Sequence, residues 1–296
     1  VYVILKKISI KHLKDQINSS LKHNNKALEN ELETIKRFQR RSEILIDQLI
    51  NEKYRDDLKI QYMETILKEI HEKTVENGKC CPICGSEFPI FLPFGHPIRE
   101  NAQCPVCNSL ERDRASYLFL KEQTDIFNKK VSILHFAPEK SLSKRFKENE
   151  SIDYLPVDIN PEMENVVEKM DIQNIERPDN SFDMVYCSHV LEHVPNDNKA
   201  MSEIYRVIKP GGFAMIMVPL DPSLSKTLED PSYNTPELRT KYYGQHDHLR
   251  YYGPDFPNKL EDVGFKVSSN FYETKNEEYL NKYGLKTYHY MYMCSK

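Results

Sequence analysis

Residues 181–220 read SFDMVYCSHVLEHVPNDNKAMSEIYRVIKPGGFAMIMVPL, and this stretch decides the fold. Phe182–Ser188 and Gly212–Pro219 are apolar, strand-like runs. Between them, Val190–Val194 (VLEHV) reads as the opening of a helix and Tyr205–Ile208 as its end. The Pro210-Gly211-Gly212 turn stops that helix and sends the chain into the second strand. Further out, VSILHFA (131–137), IDYLPVDI (152–159), FKVSSNFY (265–272) and YHYMYMC (288–294) are short apolar runs of the same kind. Helix-like stretches separate the first four runs in chain order, which predicts a parallel α/β sheet. The last two lie closer together and suit an antiparallel edge. No internal repeat is evident.

The chain has 296 residues, 39% hydrophobic and 29% charged, enough for one or two domains with extra polar surface. Its formal charge of −4 argues against a nucleic-acid binder that relies on bulk positive charge. No apolar run approaches the roughly 20 residues of a membrane span. The opening VYVILKKISI is too short an apolar stretch for a signal peptide and lacks a cleavage-like site. The first residue is Val1, which leaves the completeness of the N-terminus open. A cytoplasmic protein is expected.

The first glycine is Gly78 and the first proline Pro82. Residues 1–77 are free of helix breakers, and a heptad reading sets Leu21, Leu28, Ile35, Leu49, Met63 and Ile70 on one seam position. Leu32, Ile46, Ile60 and Leu67 fall on the other, with interruptions at Gln39, Ser42, Lys53 and Asp56. A long helix that pairs with a partner helix or a second copy is expected, against the alternative of a solvated helix.

Residues 78–125 hold two Cys-Pro-x-Cys pairs, Cys81/Cys84 and Cys104/Cys107, nineteen residues apart. Four thiolates at this spacing suit a closed, structural Zn²⁺ site, and in a reducing compartment metal is favoured over disulfides. Cys80 is out of spacing, and His96 reads as a surface histidine. Knuckle, hairpin, knuckle and then the helical SLERDRASYLFLKEQ resemble a treble-clef zinc finger. That finger is expected to pack against the following domain, with Arg112 and Arg114 either facing its cleft or solvated.

The 181–220 stretch resembles the type 11 group of class I S-adenosylmethionine-dependent methyltransferases. It carries Phe182-Asp183 entering a strand, Leu191-Glu192-His193, and Lys209-Pro210-Gly211-Gly212. The resemblance covers residues 126–296 and implies a Rossmann-like sheet that binds S-adenosylmethionine. It places Asp158, at the end of the second strand, on the cofactor ribose, with a helix N-cap as the alternative. It places Asp171 on the adenine amine, Ile172 beside the ring, and Cys187 and Ser188 at the lip where the methyl group points. In ILHFAPEKSL (133–142) it finds no glycine-rich loop. His135 stands where the family carboxylate usually is, with Phe136 next to it. Ala137 falls on the first glycine position, and Glu139 is set to meet the cofactor's ammonium group. The Ala-Pro-Glu loop and the Gly-Gln-His-Asp-His segment also resemble zinc-finger-linked methyltransferases.

Two histidine clusters are candidates for the chemistry. His189, Glu192 and His193, at i, i+3 and i+4 of the expected helix, could bind a second divalent metal or supply a base, or merely cap and buttress that helix. GQHDHLRYYG (244–253) offers His246 or His248 as general base. It offers Arg250 for an anionic group or as a buttress, and tyrosines that stack on substrate or simply pack the loop. The leading expectation is O-methylation of a small molecule or glycan. An RNA methyltransferase that uses the finger, or a non-catalytic cofactor-binding scaffold, are the alternatives.

Overall fold

The structure is a computed structural model, and it describes residues 78–88, 90–95, 98–269, 271–272, 275–286 and 291–296. The chain divides into units 1–67 and 68–296. The helix expected over residues 1–77, with its pairing seam, lies outside the described residues, as does His96.

Four short strands open the second unit: β1 (Lys79–Cys80), β2 (Glu87–Phe88), β3 (Leu92–Phe94) and β4 (Arg99–Gln103). They pair as two antiparallel hairpins, β1 with β2 and β3 with β4. Helix α1 (Glu111–Gln123) follows the second knuckle. Its start is fixed by Asp113, whose carboxylate accepts the Leu110 N–H at 3.0 Å. Residues 113–120 are buried on every face of this helix. The helix is covered by the finger on one side and the sheet on the other.

The main sheet then follows as β5 (Val131–Phe136), β6 (Ile152–Asp158), β7 (Glu168–Lys169), β8 (Phe182–Ser188), β9 (Ile208–Met217), β10 (Lys266–Ser268) and β11 (Met291–Ser295). Its order is β10-β11-β9-β8-β5-β6-β7. The strands from β5 to β9 are parallel, and β11 runs antiparallel to both β9 and β10. The antiparallel edge is therefore formed by the last two apolar runs. Helices α2 (Lys140–Lys147) and α3 (Asp197–Val207) follow β5 and β8. Helices α4 (Pro236–Tyr243), α5 (Phe256–Val263) and α6 (Glu277–Tyr283) lie in the C-terminal third.

Three local expectations are corrected. No helix separates β6 from β8: that segment carries the two-residue β7 and a series of turns. The cause is local, since Asn160 and Pro161 open a turn, and Asn165 and Asn180 take left-handed φ of 72° and 58°. The helix expected to open at Val190 begins only at Asp197. Pro195 biases Val194 away from helical geometry, and the Asn196 side chain caps α3 by accepting the Lys199 N–H at 2.9 Å. Finally, α3 ends at Val207, before the Lys-Pro-Gly-Gly segment, which is already strand. A Cβ on Gly212 would meet the Asp183 carbonyl at 2.6 Å, so this close approach admits only glycine.

Alternation along the strands divides the core between two faces. Leu134, Phe136, Val185, Cys187, Ala214 and Ile216 pack with α3 and α5. Ile133, Met184, Tyr186, Met215 and Met217 pack with α1, α2 and the finger residues Cys81, Ile83, Phe91 and Cys104. The finger is thus part of the core of this unit. Arg114, expected in the cleft or in solvent, is fully buried. It donates to the carbonyls of Ala102, Ser109 and Asn101 on one side, and of Tyr283 and Gly284 on the other. Among the described residues no helix is long and apolar enough to cross a membrane.

Candidate functional site

Strand β5 has β6 on one side and β8 on the other, so the chain leaves it in opposite directions and a crevice opens at the carboxyl ends of these strands. A cavity of about 220 Å³ sits there, lined by Phe136, Ala137, Asp158, Asp171, Ile172, Val190 and His193, among others. Asp158 ends β6. Its Oδ1 accepts the Asn160 N–H at 2.8 Å, which fixes the turn at the rim. Asp171 Oδ1 accepts from the Gln173 backbone at 2.8 Å and from its side chain at 3.3 Å. Gln173 also lines the cavity, and nothing in the sequence singled it out.

The loop after β5 solves the glycine problem with alanine. Ala137 adopts φ +50°, the left-handed region, and its N–H donates to the Val157 carbonyl at 3.0 Å. An alanine there carries a cost of about 1–2 kcal/mol that glycine avoids. Glycine, however, loses about 0.4–1 kcal/mol through unfolded-chain entropy. Ala137→Gly is therefore expected to melt within about 1 kcal/mol of the parent. Ala137→Val, β-branched at positive φ and beside the cavity, should cost clearly more. Thermal melts of the two variants check this.

His135 does not line the cavity. It is fully buried on the finger side of the sheet, with Nδ1 2.8 Å from the Tyr154 hydroxyl and Nε2 2.9 Å from Glu139 Oε2. Burial would raise the Glu139 pKa, but the His135 hydrogen bond and charge outweigh it and hold this carboxyl below its ordinary range. Asp113, reaching in from α1, is pushed up to about 6 by burial and by the Glu139 charge. Asp113 Oδ1 and Arg112 Nε are buried with no hydrogen-bond partner among the described residues, and Ser188 Oγ is a third such atom. Cys187 is fully buried against the other face, and burial raises its thiol pKa well above the ordinary value.

The Asp113 shift has a consequence for stability. An acid with a raised folded-state pKa keeps its proton longer in the folded than in the unfolded chain. Its penalty therefore grows as pH rises from about 4 to about 6 and is complete above that. In protein without cofactor, Asp113→Asn should raise stability near neutral pH by about 1–3 kcal/mol and change little near pH 4. Denaturant unfolding at the two pH values measures it.

The two histidine clusters turn out to be one neighbourhood. Residues 191–193 form a turn, in which His189 Nδ1 lies 3.2 Å from Glu192 Oε1. His193 turns instead toward the later loop: its Nδ1 is 3.3 Å from Asp247 Oδ2, and its ring centroid is 4.8 Å from that of His248. His246 is exposed, with Asp247 4.0 Å away. Arg250 is buried and acts as a buttress. It donates to the carbonyls of Leu191, Val194 and Pro195 and pairs with Glu229, which pins the 191–195 turn. The tyrosines pack the loop: Tyr233 stacks on Tyr242 at 4.0 Å, Tyr243 and Tyr252 are buried, and Tyr252 bonds Asp197.

On the finger, Cys81, Cys84, Cys104 and Cys107 bring their sulfurs within 4.8 Å of one another. The Cys81–Cys107 and Cys84–Cys104 distances are 3.6 and 3.7 Å. Sulfurs about 2.3 Å from a central Zn²⁺ would stand about 3.8 Å apart at tetrahedral angles, so the donor set and its spacing fit that ion.

Residues 139–216 match the family model described as "Methyltransferase domain". The chain is 45% identical over 60 residues to the ubiquinone/menaquinone biosynthesis C-methyltransferase UbiE of Hydrogenovibrio crunogenus, covering 19% of this chain and 24% of that one. It is 29% identical over 130 residues to the sterol 4-C-methyltransferase strm-1 of Caenorhabditis elegans, covering 42% and 35%. The matched segments span less than half the length of these relatives. Among solved structures, a SAM-dependent methyltransferase from Archaeoglobus fulgidus is similar at TM-score 0.42 and 20% identity, over 62% of this chain and 94% of that one. The methyltransferase-domain match spans β8, α3 and β9, in the same sheet that carries the cavity at its β5 switch point, so residues 139–216 are similar to a methyltransferase domain.

Proposed function

We propose that this protein transfers a methyl group from S-adenosylmethionine to an oxygen of a small-molecule or glycan acceptor. The observation that carries the cofactor reading is the cavity itself, which both Asp158, at the end of β6, and Asp171 line. In this reading Asp158 accepts the ribose hydroxyls, Asp171 the adenine amine, and Ile172 covers the ring. The buried Asp113 and the half-buried Glu139, with Arg112 beside them, offer opposite charges to the ammonium and carboxylate of the methionine end. When bound, the cofactor supplies an electrophilic methyl carbon on its sulfonium.

The oxygen acceptor is favoured by the chemistry at the cavity edge. His193, His248 and Asp247 can orient a hydroxyl there, and an imidazole of that cluster or of the exposed His246 can take its proton. The Cys₄ cluster is read as a structural Zn²⁺ site, and its thiolates suit the reducing cytoplasm. A second reading, methylation at carbon, is favoured by the names of the UbiE and sterol relatives.

The test is transfer of an isotope-labelled methyl group from S-adenosylmethionine into fractionated cell extract, followed by nuclear magnetic resonance of the product. A methyl carbon bonded to oxygen supports the proposal, and one bonded to carbon selects the second reading. Cofactor binding without turnover in any fraction would overturn both in favour of a non-catalytic scaffold.

A further inference from the structure

The turn at 191–193 and the loop at 246–248 bring together three metal-ligating side chains: Glu192, His193 and His248. One carboxylate oxygen of Glu192 and one ring nitrogen of each histidine lie within 4.8 Å of one another. This is not the set the spacing implied, because His248 takes the place of His189.

Each of the three is oriented by a contact that leaves a donor atom free. His248 Nδ1 donates to the Tyr243 carbonyl at 3.0 Å, so Nε2 carries the lone pair. His193 Nδ1 faces Asp247 Oδ2 at 3.3 Å, again leaving Nε2, in the carboxylate–histidine arrangement that supports metal ligands. Glu192 Oε1 meets His189.

The independent observation is Glu192 Oε2. Glu192 is 0% exposed, and this oxygen has no hydrogen-bond partner among the described residues. A buried carboxylate oxygen without a donor is costly, and a cation shared with two neutral imidazoles would satisfy it.

We propose that Glu192, His193 and His248 bind a divalent first-row transition-metal cation at the edge of the cofactor cavity. Two imidazoles and one carboxylate suit Zn²⁺, Mn²⁺ or Fe²⁺ and leave coordination positions open. His193 also lines the cavity, which sets the proposed cation beside it. An acceptor oxygen entering an open coordination position would be held beside the cofactor and made more acidic. This last role rests on the methyltransferase reading, whereas cation binding does not.

Mn²⁺ separates this site from the Cys₄ cluster, since thiolates select softer ions. Purified full chain, with no cofactor added, is titrated with Mn²⁺ and the loss of the free-ion electron paramagnetic resonance signal is followed. One equivalent is expected to bind, with affinity reduced at least about tenfold in Glu192→Gln and in His248→Gln. If either variant melts early, His193→Gln, at a half-exposed position, replaces it. Absence of Mn²⁺ binding together with no Zn²⁺ beyond the first equivalent, or binding unchanged in the variants, overturns the proposal. Failure of methyl transfer with Mn²⁺ binding intact would count against the enzymatic reading alone.

Discussion

Cys104→Ser is expected to unfold the entire 78–296 region rather than loosen the finger alone. A structural Zn²⁺ site contributes about 10–16 kcal/mol of apparent binding free energy, against a total stability of about 5–15 kcal/mol for a typical domain. The loss would not stay local, because Cys81, Ile83, Phe91 and Cys104 share one hydrophobic cluster with Tyr186, Met215 and Met217 on the sheet. Helix α1 has no other cover for the face that meets the finger. Circular dichroism should show a large loss of cooperative structure, in parallel with loss of bound zinc by elemental analysis. If no metal occupies the site, the same substitution exchanges one small buried side chain for another and costs only about 1 kcal/mol. The two outcomes are far apart.

Arg114→Met is expected to destabilise the same region by about 3–5 kcal/mol. The side chain is fully buried, and its guanidinium satisfies five carbonyl oxygens drawn from residues 101–109 and 283–284, with the Phe91 ring 4.4 Å away. Methionine fills similar space but leaves those carbonyls without a donor, and buried unpaired acceptors cost about 1–3 kcal/mol each before relaxation. For a region of this size the loss corresponds to a melting temperature lower by roughly 6–20 °C. Lysine should rescue little, because one ammonium cannot span five acceptors set in a fork. Differential scanning calorimetry of both variants tests this. A shift under about 2 °C would mean that the finger and the C-terminal loop are held together some other way.

The sheet was legible because each of its long strands is an apolar run bounded by turn residues, and because Asp158 sits at the end of β6. The Cys₄ cluster was legible from spacing alone. What escaped was whatever depends on one residue's backbone angle or on distant neighbours. Ala137 was placed on a glycine position by the resemblance, but that an alanine takes a left-handed φ of +50° there is visible only in the backbone. His189, Glu192 and His193 have helical spacing, but Pro195 and the cap at Asn196 delay the helix until Asp197, so the spacing lost its meaning. The juxtaposition of Glu192 with His248 spans two loops, and no local pattern encodes it. Arg114 resembled a surface charge. The signal available was its place one turn before the apolar run Tyr117–Leu120, directly after the second Cys-Pro-x-Cys pair. The short β7 was invisible because two residues carry no period.

The most direct test of the central claim is a calorimetric titration of the full-length protein and of Asp158→Ala with S-adenosylmethionine. Saturable binding of one equivalent is predicted for the parent. The variant should be weakened about 10- to 100-fold, the loss of charge-assisted hydrogen bonds to one carboxylate, with a melting temperature without cofactor lowered by no more than about 4 °C through loss of the exposed bond to Asn160. No saturable binding to the parent protein, or equal affinity in the Asp158 variant, would contradict the cofactor site described here.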